Sequence, residues 1–491
     1  MNRPEIMLHG QDLIRMKRCP RLAWLHYHSR GENSLPFYHM KEPFSALWSR
    51  AYDLDDTPQG HRGDTMEDTM RILGSLQPGE SARFVRMSWH GLRVTIPWLQ
   101  KLDTGWKAIW PMMTARETEA WLMDIARLIA QRAGIDIREQ EAVSINRQYV
   151  RGQKLDLSAL FVKSDCLENR KHHPSRTIAS LQETTMHPDL DQLVDEACAL
   201  FAGPCPPAVN SRSCALGKRC TYYDDCFQTD RRSGDDTLFL RSVPHRFEIR
   251  EGPISQLDPA GLQEYPVAWA QYQASLSSPW ISRPDLGEWL ADAKPPFSYL
   301  DFEWDTFAVP PYEGMKSFDV LCFQFSLHTE TDSGLEHTSY FGWGDCRKEF
   351  LDRLLASVPA EGTIFVYNME GAERLRLKQL AVQFPAYALR LQKIWERMKD
   401  LAKPFETGLY YDLRMKSRFS LKQIVQMFTD DPVYNRLAIH DGLQAVRAYR
   451  CYETADEQTR KRIREELDRY CQMDTYAEYL VLHGLIQAAK E

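Results

Sequence analysis

The segment PPFSYLDFEWD, Pro295 to Asp305, narrows the possible folds more than any other stretch of this 491-residue chain. Up to Asp301 both alternating faces are largely apolar, the pattern of a central strand covered on each side. Asp301 and Glu303 stand two residues apart, so a strand points both at one face. Two carboxylates on a buried face repel each other and lose hydration unless a cation neutralises them. Oxygen donors suit a hard divalent ion such as Mg2+ or Mn2+. The competing reading leaves both acids at an exposed strand end.

The surroundings extend the pattern. SFDVLCFQFSLH and HTSYFGW read as two further strands joined across ETDSGLE, an antiparallel meander. GTIFVYNM reads as a fourth strand that leads into a helix near ERLRLKQLAVQF, with more helices at FSLKQIVQMF and over the last 35 residues or so. Such an order favours an α/β fold, a mixed sheet flanked by helices. In the last helix Ile463, Leu467, Tyr470, Asp474, Ala477 and Val481 form one stripe. Asp474 interrupts its apolar face, and Tyr470, one turn earlier, is placed to orient a water near it or simply to pack. A third acid is expected after the fourth strand, where a helix start holds a carboxylate well; Asn368, Glu370 and Glu373 are the candidates there.

Size and composition set the frame. A 57.1 kDa chain with 43% hydrophobic and 26% charged residues is expected to form two or three globular domains. No stretch reads as membrane-spanning and the N-terminus carries no secretion signal, so a cytoplasmic protein is expected. We place a first domain at 1–235, a connecting segment rich in proline at 236–290, and a second domain at 291–491. The net charge of −7 hides a basic stretch: from Arg374 to Lys422 there are 12 Lys and Arg against four acids. It reads either as a phosphate footprint or as a solvated basic face, and the interleaved Tyr387, Trp395, Phe405, Tyr410 and Tyr411 as base-stacking or core residues.

LDFEW, FQFSLH, VYNMEGAE, MKDLAKPF, FSLKQIV and YCQMDT together resemble, in order, the C-terminal domain of an uncharacterised bacterial family. In that family an RNase H-like domain of the DEDD exonuclease type follows a RecB-like iron-sulfur module. The resemblance spans roughly residues 295 to 485. It implies a two-metal centre with Asp301, Glu303, Glu373 and Asp474 as ligands, Tyr470 positioning the nucleophilic water, and Asp400 supporting the sheet. Glu373 matches the family's second motif across one extra residue, with Glu370 the alternative.

Cys214, Cys220 and Cys226 follow C-x5-C-x5-C spacing, and Cys19 lies far upstream in MKRCPRLAWLHYH. Four thiolates suit an iron-sulfur cluster or a structural zinc, and the other cysteines, Cys205 among them, read as spare or packing residues. The resemblance implies the 4Fe-4S cluster of RecB-like nucleases. It also implies an acid and a Glu-x-Lys in GLRVTIPWLQ and GWKAIWPMMTA, where this sequence has no acid, then Trp110 and Met112. The expected first domain is therefore a degenerate RecB-like module, with Glu117 and Asp124 as remote substitutes for its acids. The implied activity is 3'-5' exonuclease hydrolysis of nucleic acid, DNA favoured over RNA. The alternative is a catalytically inactive nucleic-acid-binding or scaffold protein.

Overall fold

The computed structural model describes residues 6–29, 36–184, 189–215, 219–431, 434 and 436–490. It divides into two compact units, one of Met1–Ser34, Tyr38–Phe227 and Phe307–Phe318, the other of Leu35–Phe37, Gln228–Thr306 and Asp319–Glu491. Both are mixed α/β. Among the described residues no helix is long and apolar enough to cross a membrane.

In the first unit α1 (Gly10–Arg18) and α2 (Pro20–His28) meet at Cys19, whose sulfur accepts from the Leu22 N–H at the start of α2. Pro20 opens α2 at a position where its missing N–H costs nothing. β1 (Ser81–Trp89) and β2 (Leu92–Lys101) form a hairpin through His90–Gly91. Both turn residues have positive φ, as a two-residue turn matching strand twist requires. β3 (Trp106–Met112) pairs antiparallel with β2, and β4 (Ile137–Ile145) returns parallel to β3 through α3 (Ala120–Arg132). β5 (Phe161–Ser164) adds antiparallel to β4, and Leu8–His9 pair parallel with β2 to complete six strands. α3 and α4 (Leu190–Ala202) bury Met123, Ile129, Val194 and Phe201 in the main core.

In the second unit α5 (Pro266–Leu276) and α6 (Arg283–Ala291) precede the sheet. They lie in the segment read from sequence as a connector. Pro259, Pro266 and Pro284 sit in the first turns of helices rather than in open linker. The Gln271 side-chain amide donates to Phe239 O and Tyr411 Oη, which ties α5 into the unit. Residues 236–290 are thus structured, and the division falls between Phe227 and Gln228 rather than after 235.

The sheet is built from β6 (Ser298–Thr306), β7 (Val320–Thr331), β8 (Gly334–Phe341), β9 (Ile364–Val366) and β10 (Met398–Asp400). Their spatial order is β8-β7-β6-β9-β10. The first three are antiparallel, and β9 and β10 run parallel to β6. β6 is therefore the central strand, and β7 is buried at every position from Val320 to His328. One face carries Leu300 and Phe302, packed with α7 (Arg347–Ser357) and α8 (Glu373–Gln383) through Phe350, Leu351, Leu354, Leu377 and Leu380. The opposite face, which carries Tyr299, Asp301 and Glu303, is covered by the 34-residue α10 (Glu457–Lys490), preceded by α9 (Gly442–Tyr452).

Two expectations from sequence are revised. The fourth strand is only three residues long because the chain leaves it at Tyr367 and turns at Asn368, which has a φ of 65°. The helix expected over FSLKQIVQMF is a single α turn, Leu421–Ile424, followed by a 3-10 turn, Val425–Met427.

Phe350 packs edge-on against both Phe302 and Phe325 and is fully buried. Phe350→Ala should therefore cost about 3–5 kcal/mol of unfolding free energy, measurable by urea denaturation of the full chain.

Candidate functional site

Asp301, Glu303 and Asp474 each offer a carboxylate oxygen to one place: these atoms all lie within 4.8 Å of one another. Asp301 and Glu303 arrive there because β6 alternates, with Ser326 and Gln324 opposite them on β7. Asp474 arrives because the apolar stripe of α10 lies across the sheet; Ile463, Leu467, Tyr470, Ala477 and Val481 are all buried. Its placement is reinforced next door. Thr475 Oγ1 bonds His328 Nδ1 at 2.7 Å and Ser326 Oγ at 2.8 Å, pinning this turn of the helix to β7.

The trio is poorly compensated. Lys422 is the cation that acts on all three. Burial holds the Asp301 carboxyl well above the usual carboxylate range, and Asp474 raises it further. Burial does the same to Glu303, with Asp301 and Asp474 adding to it. Burial also pushes Asp474 up to about 6, opposed by a hydrogen bond from Tyr434 and by Lys422. Three acids this close cannot all ionise unless a cation joins them.

Glu373 opens α8 and is 1% exposed, but it stands outside the tight trio. Burial and then Asp301 raise its carboxyl. Glu370 points outward, its side chain 59% exposed and paired with Arg374 at 2.7 Å, so Glu373 is the acid of this turn that reaches the interior. Asp400 is occupied differently: it accepts from the backbone N–H groups of Asn368, Met369 and Ala402 at 2.9, 3.1 and 3.0 Å. That clamp holds the turn which delivers Glu373.

Tyr470 is 4% exposed, and burial, then Asp474, raises its phenol far above the ordinary value. Lys422 Nζ donates to its Oη at 3.1 Å, and the phenol is itself hydrogen-bonded to the Asp474 carboxylate. The ammonium also lies over the Tyr470 and Tyr434 rings, 4.6 and 5.1 Å from their centroids. Tyr434 donates to Asp474 Oδ1 at 2.7 Å. Neither Lys422 nor Tyr434 was found from sequence. Lys422 closes the basic stretch within a single helical turn and Tyr434 sits in a turn after it, where no period marks an inward side chain.

The basic stretch is largely spoken for within the unit. Arg397 donates to Gly362 O and Pro359 O, Arg414 pairs with Asp412, and Lys416 donates to Thr229 O and Asp230 O. Lys378, Arg390 and Lys393 remain exposed. Of the interleaved aromatics, Phe405, Tyr410 and Tyr411 are buried, and Tyr387 and Trp395 pack against the core. They are packing residues, not a stacking platform.

In the first unit the four cysteines singled out from sequence do not form a tight ligand set. Among the described residues no three of them offer sulfurs within 4.8 Å of one another, and 216–218 of this stretch lie outside those residues. Arg21 gathers a different group. Its guanidinium donates to Cys226 Sγ at 3.2 Å and Cys205 Sγ at 3.3 Å, with Cys19 also acting on it, while Cys220 acts on Cys226. Cys205, read as spare, therefore stands in this group, whereas Cys214 lies against Val209 O. Trp110 Nε1 donates to Gln140. Asp124 is ion-paired to Arg127 at 2.7 Å and Glu117 accepts from Ser175, so each acid already serves a local bond.

The second unit is thus a mixed α/β unit in which half-buried Asp301 and buried Glu303 and Asp474 cluster at the central strand. Residues 298–420 match a family described as Domain of unknown function (DUF2779). The matched span starts with β6 and contains Asp301, Glu303 and Glu373, and ends before Tyr470 and Asp474. No curated protein and no solved structure matches the chain.

The raised carboxyls give a signed expectation. Without metal the native chain holds protons that the unfolded chain releases, so the stability these groups contribute is present below about pH 4. It is lost as pH rises through about 6 and above. In EDTA, Glu303→Gln should therefore gain in thermal midpoint relative to wild type between about pH 5 and about pH 8. With Mn2+ present the order should reverse, because the ion takes the place of the protons. Differential scanning fluorimetry across that range checks both signs.

Proposed function

We propose that the second unit is a divalent-metal-dependent nuclease domain of the RNase H-like, DEDD type, hydrolysing phosphodiester bonds from a 3' end, with DNA favoured over RNA. The observation that carries this reading is the convergence of Asp301, Glu303 and Asp474 within 4.8 Å on a covered sheet face. The strand order β8-β7-β6-β9-β10, with three antiparallel strands followed by two parallel ones, is the arrangement expected of an RNase H-like sheet and supports it. The donor set is all carboxylate, which fits Mg2+ or Mn2+. Asp301, Glu303, Glu373 and Asp474 would hold two such ions.

When bound, the ions lower the pKa of a water and offset charge on the attacking and leaving oxygens of an in-line displacement. The chain's own groups do the rest. Tyr434 fixes the Asp474 carboxylate by its 2.7 Å hydrogen bond. Tyr470, its oxygen accepting from Lys422 and its hydroxyl bonded to Asp474, helps to hold that carboxylate where a water or a phosphate oxygen would approach. Lys422 supplies a fixed positive charge beside the developing phosphorane.

For the first unit we propose a supporting, non-catalytic RecB-like module whose thiols hold a 4Fe-4S cluster, zinc being the alternative. Its support is the group of Cys19, Cys205 and Cys226 around Arg21, with Cys220 acting on Cys226. Iron, sulfide and zinc analysis of anaerobically purified protein distinguishes these readings.

The activity is tested with end-labelled single-stranded DNA and RNA in Mg2+ or Mn2+. Wild type should release nucleotides progressively from the 3' end. Asp301→Asn should lose about 1000-fold or more and Tyr470→Phe roughly 100-fold. Retained metal binding with no product from either substrate would favour the inactive nucleic-acid-binding alternative.

A further inference from the structure

His328 on β7 and His337 on β8 stand directly opposite each other in the antiparallel pairing, with their ring centroids 4.6 Å apart. His328 is 4% exposed and His337 is half-buried. Neither belongs to the acid cluster. Each ring is held by a hydroxyl: Ser326 Oγ lies 2.9 Å from His337 Nε2, and Thr475 Oγ1 lies 2.7 Å from His328 Nδ1. The two hydroxyls are joined to each other at 2.8 Å.

The order of protons along this chain follows from its end. Thr475 Oγ1 reaches the carbonyl oxygen of Gln472 at 3.1 Å, an atom that can only accept. With its one proton spent there, Thr475 accepts from Ser326 and from His328 Nδ1. Ser326, having donated to Thr475, accepts from His337 Nε2. Both histidines therefore carry their proton on the bonded nitrogen. Burial disfavours a second proton, pushing His328 down to about 4 and lowering His337 as well. His328 Nε2 and His337 Nδ1 are left with lone pairs, and among the described residues neither has a hydrogen-bond partner. Asp468, which accepts from Ser339 at 2.9 Å two residues along β8 from His337, adds negative charge on the same side.

A neutral imidazole with one N–H fixed by an acceptor and the other nitrogen free is the form in which histidine ligates a metal. Two nitrogens bound to one tetrahedral ion at about 2.0–2.1 Å lie roughly 3.3 Å apart, within reach of rings at this separation. We infer that His328 Nε2 and His337 Nδ1 together bind one Zn2+ ion, with water in the remaining positions, at a site of its own between β7, β8 and α10. Imidazole nitrogen suits Zn2+ and not Mg2+, so this site and the carboxylate cluster select different ions. The Zn2+ site does not depend on the nuclease reading. An ion there ties both strands to the turn of α10 that carries Asp474, because Thr475 is the hydroxyl behind His328.

The test is titration of the full chain with Zn2+ in saturating Mg2+, the free Zn2+ being read with a chromophoric chelator. Wild type should take up one equivalent more than His337→Gln or His328→Gln, or hold that equivalent at least about 10-fold more tightly. Zn2+ held by the cysteines of the first unit is common to every variant and cancels. Ser326→Ala keeps both rings and removes only the acceptor of the His337 proton; it should weaken the same equivalent about 10-fold, and it carries the comparison should a histidine variant fail to fold. Equal stoichiometry and affinity in wild type and variants, or no Zn2+ uptake by wild type, overturns the site. Either result leaves the nuclease reading untouched.

Discussion

The second unit is organised around repulsion. Asp301, Glu303 and Asp474 crowd together on a face that the rest of the sheet treats as core, and Lys422 is their common counter-charge. Such crowding is costly unless the acids hold protons or a cation neutralises them. The devices around the trio serve to keep the acids from moving apart. Thr475 fastens α10 to His328 and Ser326, Tyr434 grips Asp474, and the Asp400 clamp holds the turn before Glu373. Rigidity here is bound up with the proposed chemistry, because ligands held in place need no rearrangement when an ion arrives.

What the sequence made readable follows from regular elements. Period two put Asp301 and Glu303 on one face, and the 4-3 stripe put Tyr470 and Asp474 on the buried side of the last helix. Tyr434 and Lys422 were beyond such patterns, since they come from turns whose direction depends on tertiary packing. The basic stretch stayed open to two readings for a related reason. Charge counted along a chain does not show which guanidinium groups cap carbonyls and which face water, and here Arg397, Arg414 and Lys416 do the former or pair with an acid.

The first unit teaches a similar lesson through cysteine. Spacing singled out Cys214 along with Cys220 and Cys226, but the thiols that share Arg21 include Cys205 instead. Distance along a turn-rich segment says little about which sulfurs face inward. The prolines of 236–290 were likewise read as breaks in the chain, whereas several lie in helix first turns.

β6 carries a third acid, and it is treated quite differently. Asp305 is 1% exposed and receives both Nε and Nη2 of Arg450, at 3.0 and 2.6 Å. One strand therefore holds acids under two regimes, one with a counter-charge from its own chain and one that, in the proposed reading, an exchangeable cation would complete. The tethered pair belongs to the architecture: an uncharged pair of matching shape at 305 and 450 would keep the fold, as buried ion pairs often permit. In the proposed reading the untethered pair has no such substitute, because its uncompensated charge is what a visiting cation would recognise. Along SYLDFEWD, the residue with a permanent guanidinium partner marks where the ion-paired scaffold begins and the proposed cation-binding face would end.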